Sequence, residues 1–110
     1  MSRIVEIVTT VATEEDAGRI ARSLVESRLA ACVHVDAIQS TYRWKGSVCH
    51  EAELRVVVKT TDAAAESVER WLSEHHPYET PAILRVPVER ANGAYEAWVE
   101  ASVRNGGDES

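Results

Sequence analysis

The chain has 110 residues, of which 45% are apolar and 27% charged, with a formal net charge of −6. That is enough for one globular domain with a real core, and the acidic balance argues against nucleic acid, which wants a basic surface. No run approaches the ~18 apolar residues of a membrane span, and the opening M-S-R-I-V-E-I-V-T-T reads as a strand with a charge inside it, not as a signal peptide.

The first predicted element is a strand over residues 3–10. Val5, Ile7 and Thr9 alternate with Ile4, Glu6 and Val8, so both faces are largely apolar and the strand is central. Thr13 then opens T-E-E-D, a helix N-cap followed by acids that suit the positive end of a helix. Ala17, Ile20, Ala21, Leu24 and Val25 recur at helical spacing to about Arg28.

Residues 31–60 read as a long hairpin. Both arms are rich in Val, Ile, Thr, Tyr and Trp, and Lys45-Gly46 is the turn signal between them. In that register Trp44 faces Ser47 and Asp36 faces Arg55, a favourable cross-strand ion pair. Val33, Val35, Ala37, Leu54, Val56 and Val58 share a core face; the opposite face carries Cys32, His34, Ile38, Tyr42, Trp44, Cys49, Glu51, Glu53, Val57 and Lys59. Each arm spans roughly 45 Å, against a radius of gyration of ~13 Å for a domain of this size. The tip therefore projects and needs a support, for which a second copy of the chain is the simplest candidate. Cys32 and Cys49 lie roughly 33 Å apart along the hairpin, too far to bridge, which points to a reducing cytoplasm.

Thr61-Asp62 caps a second amphipathic helix on Ala65, Val68 and Leu72, with Trp71 beside them. Pro77 disfavours helical geometry at His76, so the helix stops near His75 and His75–Pro81 is a loop. Residues 82–88 form a fourth strand bracketed by Pro81 and Pro87, an edge position, and Asn92-Gly93 leads into a short helix with Ala94, Tyr95, Trp98 and Val99 on one face. The expected division is a domain over residues 1–103 and a flexible polar tail over 104–110. The fold class is α+β: a ferredoxin-like βαββαβ plait with a long hairpin and a C-terminal helix. Its helices cover one sheet face, so the other face meets solvent or a partner and the long second strand is an unprotected edge; both point to an oligomer.

The motifs A-A-C-V-H-V at 30–35, S-T-Y-R-W-K-G at 40–46, E-A-E-L-R-V-V-V-K-T at 51–60 and H-H-P-Y-E-T-P at 75–81 resemble the CutA divalent-cation tolerance family, from Val5 to about Val103. The resemblance implies a tight homotrimer built like the PII signalling proteins. It also implies a cytoplasmic protein linked to copper tolerance that binds copper or another divalent ion. The family's proposed metal-binding histidines fall on His75 and His76, and the cysteine of its A-C-V segment on Cys32. Thr9 stands where some members carry a cysteine, and His34 and Asp36 replace the usual Asn and Pro.

Read as chemistry, His75 and His76 are either borderline-metal ligands or a helix end where a cationic imidazole suits the dipole. Cys32 and His34 share a strand face and suit Cu(I) or Zn; the alternative is a buried apolar thiol. Trp44, Glu53, Lys59 and Tyr78 are the candidate interface or ligand cleft. Three subunits meeting there bring a carboxylate, an ammonium and an aromatic around a small anion or metabolite, or simply form an interfacial salt bridge. No catalytic triad or phosphate loop stands out. The reading is thus a trimeric metal-tolerance protein, not an enzyme, with no obligatory cofactor. Its rivals are a PII-like sensor of a small metabolite between subunits and a structural trimer that anchors a partner protein.

Overall fold

The computed structural model describes residues 3–104. Four antiparallel strands and three helices follow in the order β1 (Ile4–Val11), α1 (Glu14–Glu26), β2 (Cys32–Trp44), β3 (Ser47–Thr61), α2 (Asp62–His75), β4 (Leu84–Pro87) and α3 (Gly93–Ser102). The sheet order is β2-β3-β1-β4, so β1 is central and β2 and β4 are the edges. The fourth strand is shorter than the expected 82–88, and its Pro87 is tolerated because the edge leaves that position without a ladder partner on one side.

Alternation along β1 decides where the core lies. Val5, Ile7 and Val11 turn to one side with Val56 and Val58 of β3, and meet Ala17, Ile20 and Leu24 of α1 and Ala65, Val68 and Leu72 of α2. Each fully buried Ile or Leu there contributes about 1.5–3 kcal/mol. Val35 and Ala37 were expected on this core face, yet Val35 is 43% exposed and Ala37 is exposed. They have the right parity, but the helix layer does not extend over that part of β2.

Local chemistry fixes the helix ends. The Thr13 hydroxyl accepts from the Asp16 N–H at 3.0 Å, and Thr61 does the same for Ala64 at 3.2 Å. The first helix stops at Glu26 rather than Arg28, because Arg28 turns left-handed at φ 65°. Its guanidinium then donates to the carbonyls of Ala101 and Ser102, placing a cation at the negative end of α3. Thr13→Ala is expected to cost about 1 kcal/mol while Thr13→Asn stays close to wild type; urea melts of the two variants check this.

The hairpin has the register read from the sequence, with Trp44 opposite Ser47 and Asp36 opposite Arg55. Arg55 donates to both Asp36 oxygens, at 3.2 and 2.9 Å. Both turn residues have positive φ, Lys45 at 50° and Gly46 at 83°, as a two-residue turn matched to strand twist requires. Since β1 ends at Val11 opposite Leu54, residues 38–53 form a two-stranded ribbon beyond the body of the sheet. The molecule is accordingly long, 45 × 27 × 21 Å.

The second face of the sheet is not bare throughout, as the plait alone would leave it. Val99 and Val103 of the α3 segment pack with Ile4, Ala31 and Ala64 at one end. Tyr95 is half-buried, while Trp98, expected on the same packed face, is 47% exposed. Of the expected tail, Arg104 donates its N–H to Arg28 at 2.8 Å; residues 105–110 lie outside the described residues.

Candidate functional site

Pro77 ends α2 and sends the two adjacent histidines in different directions. His75, the last helical residue, stacks on Trp71 with ring centroids 4.3 Å apart. Its Nδ1–H donates to the Trp71 carbonyl at 2.8 Å, which leaves Nε2 as the open lone pair. His76 is extended, at ψ 139°. Its Nε2–H donates to the Thr10 carbonyl at 3.0 Å and lies 2.9 Å from the Thr9 hydroxyl, and its Nδ1 accepts from the Tyr78 N–H at 3.0 Å. That pattern fixes one neutral tautomer. Burial lowers the His76 pKa below the ordinary imidazole value, against an opposing pull from the Thr10 carbonyl. The two rings therefore differ among the described residues: both His76 nitrogens are hydrogen-bonded, whereas only Nδ1 of His75 is. Among the described residues, no group of three or more His, Cys, Asp and Glu side chains is gathered for a metal.

Cys32 and His34 do come together. The Cys32 Sγ lies 4.0 Å from His34 Nε2 and 3.6 Å from the Tyr95 hydroxyl. Burial, and then the contact with Cys32, push the Tyr95 phenol up to about 12. Lys59 faces Cys32 across the ladder, but its ammonium is paired with Glu6 of β1. Sequence reading missed Glu6 as that partner; an acid within an otherwise apolar central strand, on the face opposite Val5 and Ile7, was the available signal.

A cleft opens where the hairpin leaves the sheet and the 75–81 loop crosses its base. Glu53 is only 9% exposed. Ser40 donates to its Oε1 at 2.6 Å and Tyr78 to its Oε2 at 2.5 Å. One turn of the pleat further out, Tyr42 donates to Glu51 at 2.7 Å. Burial first, and then Glu53, raise the Tyr78 pKa well above the phenol range; the hydrogen bond to Glu51 pushes Tyr42 up to about 12. Both phenols stay protonated and act as donors. The cleft has a volume of about 820 Å³, and Trp44 lines its outer part. Of the four residues expected to make a cleft, Trp44, Glu53 and Tyr78 line it, while Lys59 lies six residues along β3 from Glu53, held by Glu6. Glu51, exposed near the hairpin tip, also belongs to the cleft wall.

Comparison with known proteins places this geometry in context. A family model described as CutA1 divalent ion tolerance protein matches residues 5–102. The divalent-cation tolerance protein CutA of Thermus thermophilus is 42% identical over 94 residues, covering 84% of this chain and 91% of that protein. Its counterpart in Thermotoga maritima is 38% identical over 97 residues, 88% of this chain and 96% of that one. The solved structure of CutA from Synechococcus elongatus matches with a TM-score of 0.90 at 36% identity, covering 94% of this chain and 92% of the other.

Proposed function

Because the chain belongs to the CutA1 divalent ion tolerance protein family, we propose that it is a cytoplasmic, non-enzymatic homotrimer that binds copper or another divalent ion. The observation that carries the metal reading is the 4.0 Å separation of Cys32 Sγ and His34 Nε2. A borderline metal sits about 2.3 Å from a thiolate and 2.0–2.1 Å from an imidazole. One ion therefore fits between these two donors without moving the backbone, with water or a second subunit completing its shell. Thiolate and imidazole together favour copper and zinc over hard ions. Two free cysteines that cannot reach each other fit a reducing compartment.

Trimerisation, on a ferredoxin-like plait assembled in the PII manner, is supported by surface that a monomer has no use for. Strand β2 is an edge 13 residues long, and such edges are templates for association. Leu84, Val86, Trp44 and Trp98 are exposed apolar side chains. A second reading, a PII-like sensor holding a small ligand at a subunit interface, is favoured by the cleft beside Glu53; its acidic lining sets it against an anion.

Calorimetric titration with Cu(I), Cu(II) and Zn(II) tests the metal reading. Cys32→Ser is expected to weaken binding at least about tenfold, or ~1.4 kcal/mol. His75→Ala asks separately whether the open Nε2 of that ring takes part. No binding in the wild type, or binding indifferent to both substitutions, sinks the proposal.

A further inference from the structure

The cleft between the hairpin and the 75–81 loop has a chemistry that the metal reading does not use. It carries Glu51, Glu53 and Glu79 together with the rings of Tyr42, Trp44 and Tyr78, and among the described residues none that lines it is Lys, Arg or His. We propose that this cleft binds a small organic ammonium ion, with its charge toward the Glu51 and Glu53 carboxylates and its alkyl body on the aromatic rings.

Sign and shape both select that class. An anion would meet three carboxylates on the cleft wall, and the nearby Lys45 ammonium is set over the Trp44 ring. A hard metal ion wants six or more oxygen ligands in its shell, whereas each Glu53 oxygen already accepts a hydroxyl hydrogen, from Ser40 and from Tyr78. Glu51 is likewise held by Tyr42. Among the described residues no chelating group of three exists. An organic ammonium makes no such demand. It is a diffuse, weakly hydrated charge, attracted by carboxylates at a distance and by the negative faces of aromatic rings.

Trp44 already shows this preference, since the Lys45 ammonium lies over its ring at 5.5 Å from the centroid. The site is also preorganised: Glu53 is 9% exposed and fixed at both oxygens, so little side-chain freedom is lost on binding. A volume of about 820 Å³ lies within the range of small-molecule sites.

The test is calorimetry of the full chain with choline as the probe. The control is its neutral isostere, in which a tert-butyl group replaces the trimethylammonium. Choline is expected to bind with a dissociation constant of about a millimolar or tighter, and the isostere at least about tenfold more weakly. Glu51→Gln and Glu79→Gln should each weaken choline at least about threefold, while the Cys32→Ser protein binds choline as wild type does. Equal binding of the isostere, displacement of choline by an equal concentration of magnesium ion, or indifference to both glutamate substitutions overturns the proposal. So does the absence of choline binding. A fall in the scattering mass of Glu51→Gln also overturns it, because the acid then serves a contact between copies of the chain.

Discussion

Replacing His76 with Ala is expected to cost on the order of 2–3 kcal/mol, whereas His75→Ala stays within about 1 kcal/mol. The two side chains are neighbours in sequence but not in role. His76 spends both ring nitrogens on backbone, donating to the Thr10 carbonyl and accepting from the Tyr78 N–H. Truncation strands both groups in a part-buried place and unties the loop that delivers Tyr78 to Glu53. His75 loses one exposed bond to Trp71 and a ring stack. Urea melts of the two variants distinguish them, and equal losses would refute the assignment. Gln at position 76 keeps a donor for the Thr10 carbonyl and should recover part of the loss.

The same geometry sets a pH dependence. The folded protein holds His76 below its ordinary pKa, chiefly by burial, so the unfolded chain binds the proton more readily. Stability owed to the neutral ring is fully present above the unfolded value near ~6.5 and is lost as pH falls through the lower folded value. Wild type should therefore melt earlier as pH drops below that point, and His76→Gln should lack this component of the slope. Melting curves between neutral and mildly acidic pH check the sign.

Much of this fold was legible because its signals are periodic. Alternation in residues 31–60 and a single Lys-Gly turn gave the hairpin register pair by pair, down to Asp36 opposite Arg55. Thr13 and Thr61 marked both helix starts through side-chain oxygens that the helix needs. What periodicity gives is parity, not coverage. Val35 and Ala37 have the parity of the core, yet are exposed because no helix extends over them. The left-handed conformation of Arg28 was equally hidden, since that residue type announces no preference for it.

The candidate site divides along the same line. Tyr42, Trp44, Glu51 and Glu53 share one hairpin face, and that much follows from a period of two. Their closure into a cleft depends on the 75–81 loop, whose path is set by His76 bonding to β1. That contact spans 66 residues of sequence, and no local pattern encodes it. Lys59 shows the converse. It sits on the expected face, but its partner Glu6 comes from a strand that only the sheet order brings alongside.

If the chain assembles as the proposed trimer, Trp44→Ala is expected to reduce its scattering mass from three chains toward one. The tip of the hairpin lies beyond the last residue of β1, so no third strand among the described residues supports it. Within one chain the indole remains 39% exposed, with the Lys45 ammonium over its ring. Truncation in an isolated chain would therefore cost little. If a second subunit covers the indole, each site loses about 3–5 kcal/mol, as for other large buried aromatics. In the proposed trimer that loss recurs at every interface, so assembly should weaken before the protomer core of Ile7, Ile20, Leu24 and Leu72 is disturbed. Light scattering at micromolar concentration separates the two cases, and far-ultraviolet circular dichroism shows whether the protomer has survived. Choline affinity should fall with the mass, because Trp44 is also the outer wall of the cleft. A variant with unchanged mass and unchanged melting temperature would mean that the tip is free, and the exposed edge of β2 would then need another partner.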